Sequence, residues 1–434
     1  MANPPGEEGL KRVMGVFGLS LNIVNCTIGA GIFALPAIVG IALGAFSVFA
    51  YLFCALIMAT IMLCYAEIGS RVTAAGGSYA YVSAAFGDLA GFVVSWLYVL
   101  AWGILGSAAL MNIISDSLAV TFPVFLNPWV RGILSFVLLG FLAVTNIRGA
   151  KQGVAFIEVI TLIKLLPLLA IILFGFSLVQ GTNLHWEHLP ALDTFANTTL
   201  MLFFAFAGFE TALGTSGEII NPGRTVPLGI LLGGVLVLVV YLLLQTVIQG
   251  VLGPEISLVK DAPLAAVGER IVGTLGSTIL LVVAAVSCFG SISSDVLSTP
   301  RVLFAGANDG LYPKFLGKLH AKFATPHWAV GLYVALIFVF SVFGGFEQLA
   351  VLASAAILLI YLLVVMATIK MRMKKETSPR QTFRVPGGLL VPCLGIASIL
   401  WLLTSLNGVE MVSSAAFIGI VCTLYFIMKW VKSR

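Results

Sequence analysis

Apolar runs of about twenty residues recur along the whole chain, separated by short polar or charged turns. Twelve are visible, at roughly 14–40, 44–70, 80–110, 130–146, 153–179, 194–218, 226–252, 271–300, 327–344, 348–370, 388–407 and 411–430. Each is long enough to cross a hydrocarbon core as a helix, and the third is long enough to tilt or to run past it. None alternates apolar and polar residues with period two, as the strands of a transmembrane barrel do. The pattern predicts an all-α integral membrane protein with twelve transmembrane helices in a single transmembrane domain, 1–434. Its longest polar segments lie at about 305–326 and 371–386.

Two of the runs are interrupted. The first contains NCTIGAGIFALP, Asn25 to Pro36, and the sixth contains FAFAGFETALGTSGEIINPGRTVP, Phe204 to Pro227. Irregular backbone at membrane depth is tolerated only where it is buried in protein or lines a wet cavity. Interruptions at the same place in two halves point to an inverted repeat with a binding site between its parts. The predicted repeats are 12–180 and 190–370, each of five helices, followed by spans 11 and 12 at 387–431. Glycines 29 and 31 let the chain leave helical geometry cheaply. The N–H groups freed at about Gly31 to Phe33 suit an anion backed by a helix dipole. The carbonyls freed near Ile28 and at Phe204 to Ala207 suit an ammonium group. Together they match an α-amino acid. A plainer reading of Gly29-Ala30-Gly31 is a close helix contact, but two breaks in matching positions favour a site.

Composition agrees with the pattern. Of 434 residues, 60% are hydrophobic and only 9% charged, against about 25% charged in soluble chains; the mean hydropathy is +1.10. The net charge of +5 is a topology signal and implies no nucleic acid. With both termini cytoplasmic, nineteen lysines and arginines fall inside, three (Arg131, Lys260 and Arg270) outside, and Lys164 within a span, as the positive-inside rule requires. A cell membrane is the expected location. No cleavable signal peptide is expected, because the first apolar run is too long for one. The six cysteines lie in apolar segments and read as small buried hydrophobes. His185 and His188 flank Glu187 without further ligands nearby, which argues against a metal site; no cofactor is expected.

Ionisable residues within spans are functional candidates by default. Glu67, Glu158 and Arg301 lie near span ends, within reach of interfacial water. Glu218, six residues before Arg224, suggests an intracellular ion pair or gate. Glu210 follows the sixth-span break by two residues and suits either a cap for freed backbone groups or a proton site. Lys164 stands twelve residues into the fifth span with no acid one turn away. Ser287, Ser291, Ser294 and Ser298 form one stripe at helical period on the eighth span, which serves equally as helix–helix glue. Asp295 belongs to the same stripe.

At IGAGIFALP (Ile28–Pro36), AGFETALGTSGEIINPGRTVP (Ala207–Pro227) and PRVLFAGANDGLYPKFL (Pro300–Leu316), in this order, the chain resembles the amino acid–polyamine–organocation superfamily. Within it, the chain is similar to bacterial amino acid exchangers and the light subunits of heteromeric transporters. The resemblance implies the leucine-transporter-like fold, with broken helices 1 and 6 and two additional C-terminal helices. It implies that Ala30, Gly31 and Ile32 hold a substrate carboxylate and that the carbonyls of Ile28 and of Phe204 to Ala207 hold the amine. Phe204 matches an aromatic gate, Trp102 and Gly106 match side-chain pocket positions, and Ser354 matches another less closely. In sodium-independent relatives a fifth-span lysine replaces a coupling sodium ion. Lys164 is therefore expected to bridge the first break to the eighth span, with Ser291 and Ser294 as partners.

Asp295 falls where related arginine antiporters carry a tryptophan, a departure with three readings: pairing with a cationic side chain, proton coupling, or a contact with Lys164 or the serine stripe. The expected function is sodium-independent amino acid transport, by exchange or proton-coupled uptake. The alternative is a polyamine or cationic amine antiporter using Asp295. A membrane-embedded enzyme or a channel is remote, since neither a nucleophile–base pair nor a pore-lining ring can be drawn. The expected partners are a small-molecule amino acid and the lipid bilayer, with a homo-oligomer left open.

Overall fold

The computed structural model describes residues 12–29, 31–186, 189–259, 262–343, 346–373, 383–404 and 408–432. Ala30, Glu187 and His188 therefore lie outside the described residues. The helices in chain order are α1 (Val16–Thr27), α2 (Gly31–Leu43), α3 (Ser47–Arg71), α4 (Ser78–Phe86), α5 (Asp88–Trp96), α6 (Leu105–Thr121), α7 (Pro128–Arg148) and α8 (Ala150–Gly175). They continue as α9 (Leu192–Phe206), α10 (Pro222–Leu252), α11 (Pro263–Val272), α12 (Thr274–Asn308), α13 (His327–Phe343), α14 (Phe346–Met373), α15 (Leu390–Leu403) and α16 (Gly408–Lys432). The architecture of the described residues is all helical, apart from one isolated parallel bridge between Met14 and Ile219.

Each of the twelve apolar runs falls on helix. Seven helices are long and apolar enough to cross a membrane, and four shorter apolar helices accompany them among the described residues. The third run starts later than its hydropathy suggests: α4 is separate, and Gly87, at φ 88°, turns the chain into α5. A π-helical stretch, Leu97–Ile104, joins α5 to α6. Helix starts follow local chemistry. Asn127 caps α7 by accepting from the Trp129 N–H at 2.9 Å, and Pro128 occupies the first turn, where its missing N–H costs nothing.

Helix α12 is the centre of the molecule. From Ser287 to Phe304 all but one of its residues are buried, and it packs against α1, α6, α8 and α13. Its polar residues are sheltered with the apolar ones, Ser287, Ser291, Ser294, Asp295 and Arg301 all being buried. The outer helices show the opposite: Ile133, Phe136 and Val137 on α7, Leu166 and Leu173 on α8, and Leu231 and Val235 on α10 are exposed. Water does not support apolar surface of that extent; lipid does. The cysteines divide likewise: Cys54, Cys64 and Cys288 are buried, but Cys393 is exposed on the outer surface, contrary to expectation.

At the end of the molecule rich in basic residues, the expected charges find other partners. Glu218 pairs with Arg301 at 3.1 Å, both fully enclosed, while Arg224 is exposed. Glu67 accepts from Arg71 at 2.7 Å, from Arg372 and from the Val385 N–H at 2.8 Å. Neither Glu67 nor Arg301 reaches interfacial water, because later segments fold over them. The backbone of Val13 and Met14 donates to the Glu218 carbonyl at 2.8 and 3.0 Å, and Gly76 donates to Gly214 at 3.1 Å. This end is closed by backbone and by buried ion pairs.

Breaking a buried pair strands the remaining charge, at a cost of about 3–5 kcal/mol. Glu218→Leu should lower the thermal unfolding midpoint in detergent sharply, and adding Arg301→Met should restore most of it. Equal midpoints for the single and double variants would show that the pair is not coupled.

Candidate substrate-binding site

Helix α1 stops at Thr27, and Ile28, at ψ 83°, leaves the helical path. Backbone oxygens of the last turn then lack their helical donors, and three other helices supply replacements. The Lys164 ammonium, buried on α8, donates to the carbonyls of Asn25 at 2.7 Å and Ile28 at 2.6 Å. From α12, Ser291 also donates to Asn25 (3.0 Å) and Ser287 to Ile28 (2.9 Å). Lys164 and the serine stripe thus meet on shared oxygens rather than on each other. Ser294 receives its bond from the Asn25 side chain at 2.7 Å, and the same amide donates to the Gly290 carbonyl at 2.6 Å. With two donors already on it, the Ile28 carbonyl has little capacity left for a substrate amine, which needs another acceptor.

The second break follows α9. Gly208 adopts φ 116°, and a Cβ built there would lie 2.8 Å from the Cys26 carbonyl oxygen. Only glycine lets the two breaks approach this closely without strain. The Gly208 N–H is directed at Glu210 Oε2 (3.1 Å), which also accepts from the Tyr361 hydroxyl at 2.5 Å. Glu210 therefore caps the break. Beyond it the chain continues as a 3₁₀ helix, Phe209–Glu218, instead of the expected second α-helical half. Tyr241, on α10, joins the breaks: its hydroxyl lies 3.0 Å from the Thr27 carbonyl and 2.9 Å from that of Ala205.

Between the breaks lies a cavity of about 130 Å³. Gly31, Trp102, Gly106, Ala207, Ser291 and Asp295 line it, as do Cys26, Ser107 and Thr211. Trp102 belongs to the π-helical stretch, a distortion frequent at functional sites, and its indole N–H points to Thr211 Oγ1 at 3.4 Å. Ile28, Ile32, Lys164, Glu210 and Ser294 are buried behind the wall. The side chains of Phe204 and Ser354 lie outside the described residues. Among the described residues the Asp295 carboxylate makes no hydrogen bond to Lys164 or to the serine stripe. Its Oδ2 accepts from Ser107 (2.6 Å) and from the Tyr333 hydroxyl, and its Oδ1 from Thr299 (2.6 Å). A carboxylate offers about four acceptor positions, so three hydroxyls fix the group and leave room for one more donor.

Tyr241, Tyr333, Tyr361, Ser107 and Thr299 escaped the reading of the sequence. The tyrosines did leave a signal: each is alone in an apolar run, where a phenol hydroxyl needs a buried partner.

Two interrupted helices meeting at a cavity within a bundle of apolar spans define a membrane transporter. The chain belongs to the amino acid permease family, whose profile matches residues 13–428. It is similar to the methylthioribose transporter of Bacillus subtilis (strain 168), 27% identical over 97% of this chain and 94% of the relative. It is also 27% identical to the serine/threonine exchanger SteT of the same organism, over 92% of each. The large neutral amino acids transporter small subunit 2 of Oryctolagus cuniculus is 29% identical over 74% of this chain and 62% of its own. The protein is a multi-pass membrane permease for amino acids, a transporter rather than an enzyme.

Gly208→Ala tests the meeting of the breaks. The positive φ alone costs about 1–3 kcal/mol for a side-chain-bearing residue, and the methyl group would press on Cys26. The variant should lose ligand-induced thermal stabilisation while still inserting into the membrane. Retained stabilisation would place the site elsewhere.

Proposed function

We propose that this permease carries small α-amino acids without sodium, by alternating access around the two helix breaks. The observation that carries this reading is the Lys164 ammonium at 2.7 and 2.6 Å from the carbonyls of Asn25 and Ile28. A fixed cation on that cluster of freed oxygens does what a coupling ion would otherwise do. Twelve spans, both termini in the cytoplasm, and repeats at 12–180 and 190–370 complete the reading, with 387–431 outside the repeats. The carboxylate is assigned to the N–H groups of Ala30, Gly31 and Ile32. The amine is assigned to the carbonyls between Phe204 and Ala207, because Gly208 has turned its N–H toward Glu210 and the carbonyl four residues back loses that donor. Phe204 is the gate, Trp102 and Gly106 shape the side-chain pocket, and Glu210 is the candidate proton site. The closed basic end and the cavity beside the breaks fit a state shut toward the cytoplasm.

Asp295 favours a narrower substrate class. Held by three donors, it is an acceptor aimed at the cavity, and the cavity is small. A substrate whose short side chain ends in a hydroxyl or ammonium group would complete its hydrogen bonding, and a charge-assisted bond of this kind is about twice as strong as a neutral one.

Uptake of labelled serine, threonine, alanine and lysine into proteoliposomes, with and without internal amino acid, tests the proposal, with methylthioribose as competitor. Uptake should be independent of sodium and accelerated by internal substrate, and Lys164→Ala should abolish it without loss of membrane insertion. A steep sodium dependence overturns the role of Lys164. Separately, Asp295→Asn should weaken substrates with donor side chains by about tenfold or more, as expected for a lost bond to a charged group, and leave alanine little changed. If all four substrates respond alike, Asp295 is structural.

A further inference from the structure

A second cavity lies outside the substrate site, between α3 and α10. Its volume is about 720 Å³, several times that of the cavity at the breaks. Its walls are Met58, Met62 and Leu63 from α3 and Leu228, Leu231 and Val235 from α10, opened by the small residues Ala59 and Gly234. Leu231, Val235 and the neighbouring Leu56 are exposed on the outer surface of the bundle, so in a membrane the cleft opens to lipid. Arg224 is its one charged lining residue and makes no ion pair among the described residues. Glu218, the acid nearest to it in sequence, is committed to Arg301. Phe383 also lines it, and Arg384 directly after it is exposed.

We propose that this cleft binds one anionic phospholipid, its acyl chain between α3 and α10 and its phosphate on Arg224 and Arg384. An apolar void of this size forfeits dispersion contacts unless filled, and within a bilayer the acyl chain is the filler at hand. The positive charge of the guanidinium selects an anionic headgroup over a zwitterionic one. The two arginines belong to the strongly basic end of the chain, the end that meets an anionic leaflet. Phe206, the last residue of α9 before the second break, also lines the cleft. Its ring packs on Tyr241 at 5.1 Å and Tyr51 at 6.3 Å between centroids. A bound acyl chain therefore rests on the aromatic layer that supports both breaks, through a site separate from the substrate's.

Native mass spectrometry of the purified full chain, titrated with palmitoyl-oleoyl phosphatidylglycerol or the matching phosphatidylcholine, tests this. Wild type should retain phosphatidylglycerol in preference to phosphatidylcholine. Arg224→Gln should reduce that preference by about fivefold, the worth of one cation near anionic lipid, and Arg224→Lys should keep most of it. Ala59→Trp, which fills the cleft from a lipid-facing position, should remove the retained lipid whatever its headgroup. Equal retention of both lipids by wild type overturns the proposal, as does phosphatidylglycerol retention unchanged in both Arg224→Gln and Ala59→Trp. A dimer peak that Ala59→Trp abolishes, without bound lipid, also overturns it by assigning the cleft to a second copy of the chain.

Discussion

A carbonyl that leaves a helix inside a membrane must find a donor in protein or water, because hydrocarbon offers none and each unpaired group costs several kcal/mol. The break at Thr27 creates that demand at the centre of this molecule. The oxygens of Asn25 and Ile28 are met by a cation from α8 and two hydroxyls from α12, and the Thr27 oxygen by a phenol from α10. Three helices far apart in sequence are held against α1 by this requirement. The close approach of α12 needs Gly290, where a Cβ would lie 2.6 Å from the Asn25 side-chain oxygen. Much of the architecture answers to a few backbone atoms, and the cavity lies beside them.

The breaks were legible because glycines and polar residues in an apolar run contradict an unbroken helix, and that contradiction needs no tertiary information. Lys164 and the serine stripe were legible for the same reason, as polar groups where lipid would penalise them. What stayed hidden depended on which helix faces which. Asp295 was visible, and Thr299 lies one turn on along the same helix, but its partners Ser107 and Tyr333 lie on α6 and α13, whose juxtaposition with α12 follows from packing. Glu218 was read against Arg224 because they are neighbours in sequence; the fold gives it Arg301, 83 residues away. Periodicity also missed the 3₁₀ geometry after Gly208, since a glycine-rich stretch carries no pattern that separates it from an α-helix.

The polar groups around the cavity fall into two kinds. Lys164, Ser287 and Glu210 are occupied with backbone and hold the breaks in shape. Asp295 is occupied only with side chains, which hold it in place without using it up. On the proposed reading, the first kind serves any ligand with a carboxylate and an amine, and the second distinguishes one such ligand from another.

The Tyr241 hydroxyl stands within bonding distance of two oxygens, 3.0 Å from Thr27 and 2.9 Å from Ala205, yet it carries a single hydrogen. The Thr27 oxygen also accepts from the Gly29 N–H at 2.9 Å, so it keeps a donor when the phenol turns to Ala205. At this point one hydroxyl hydrogen, and not two separate bonds, ties the breaks together.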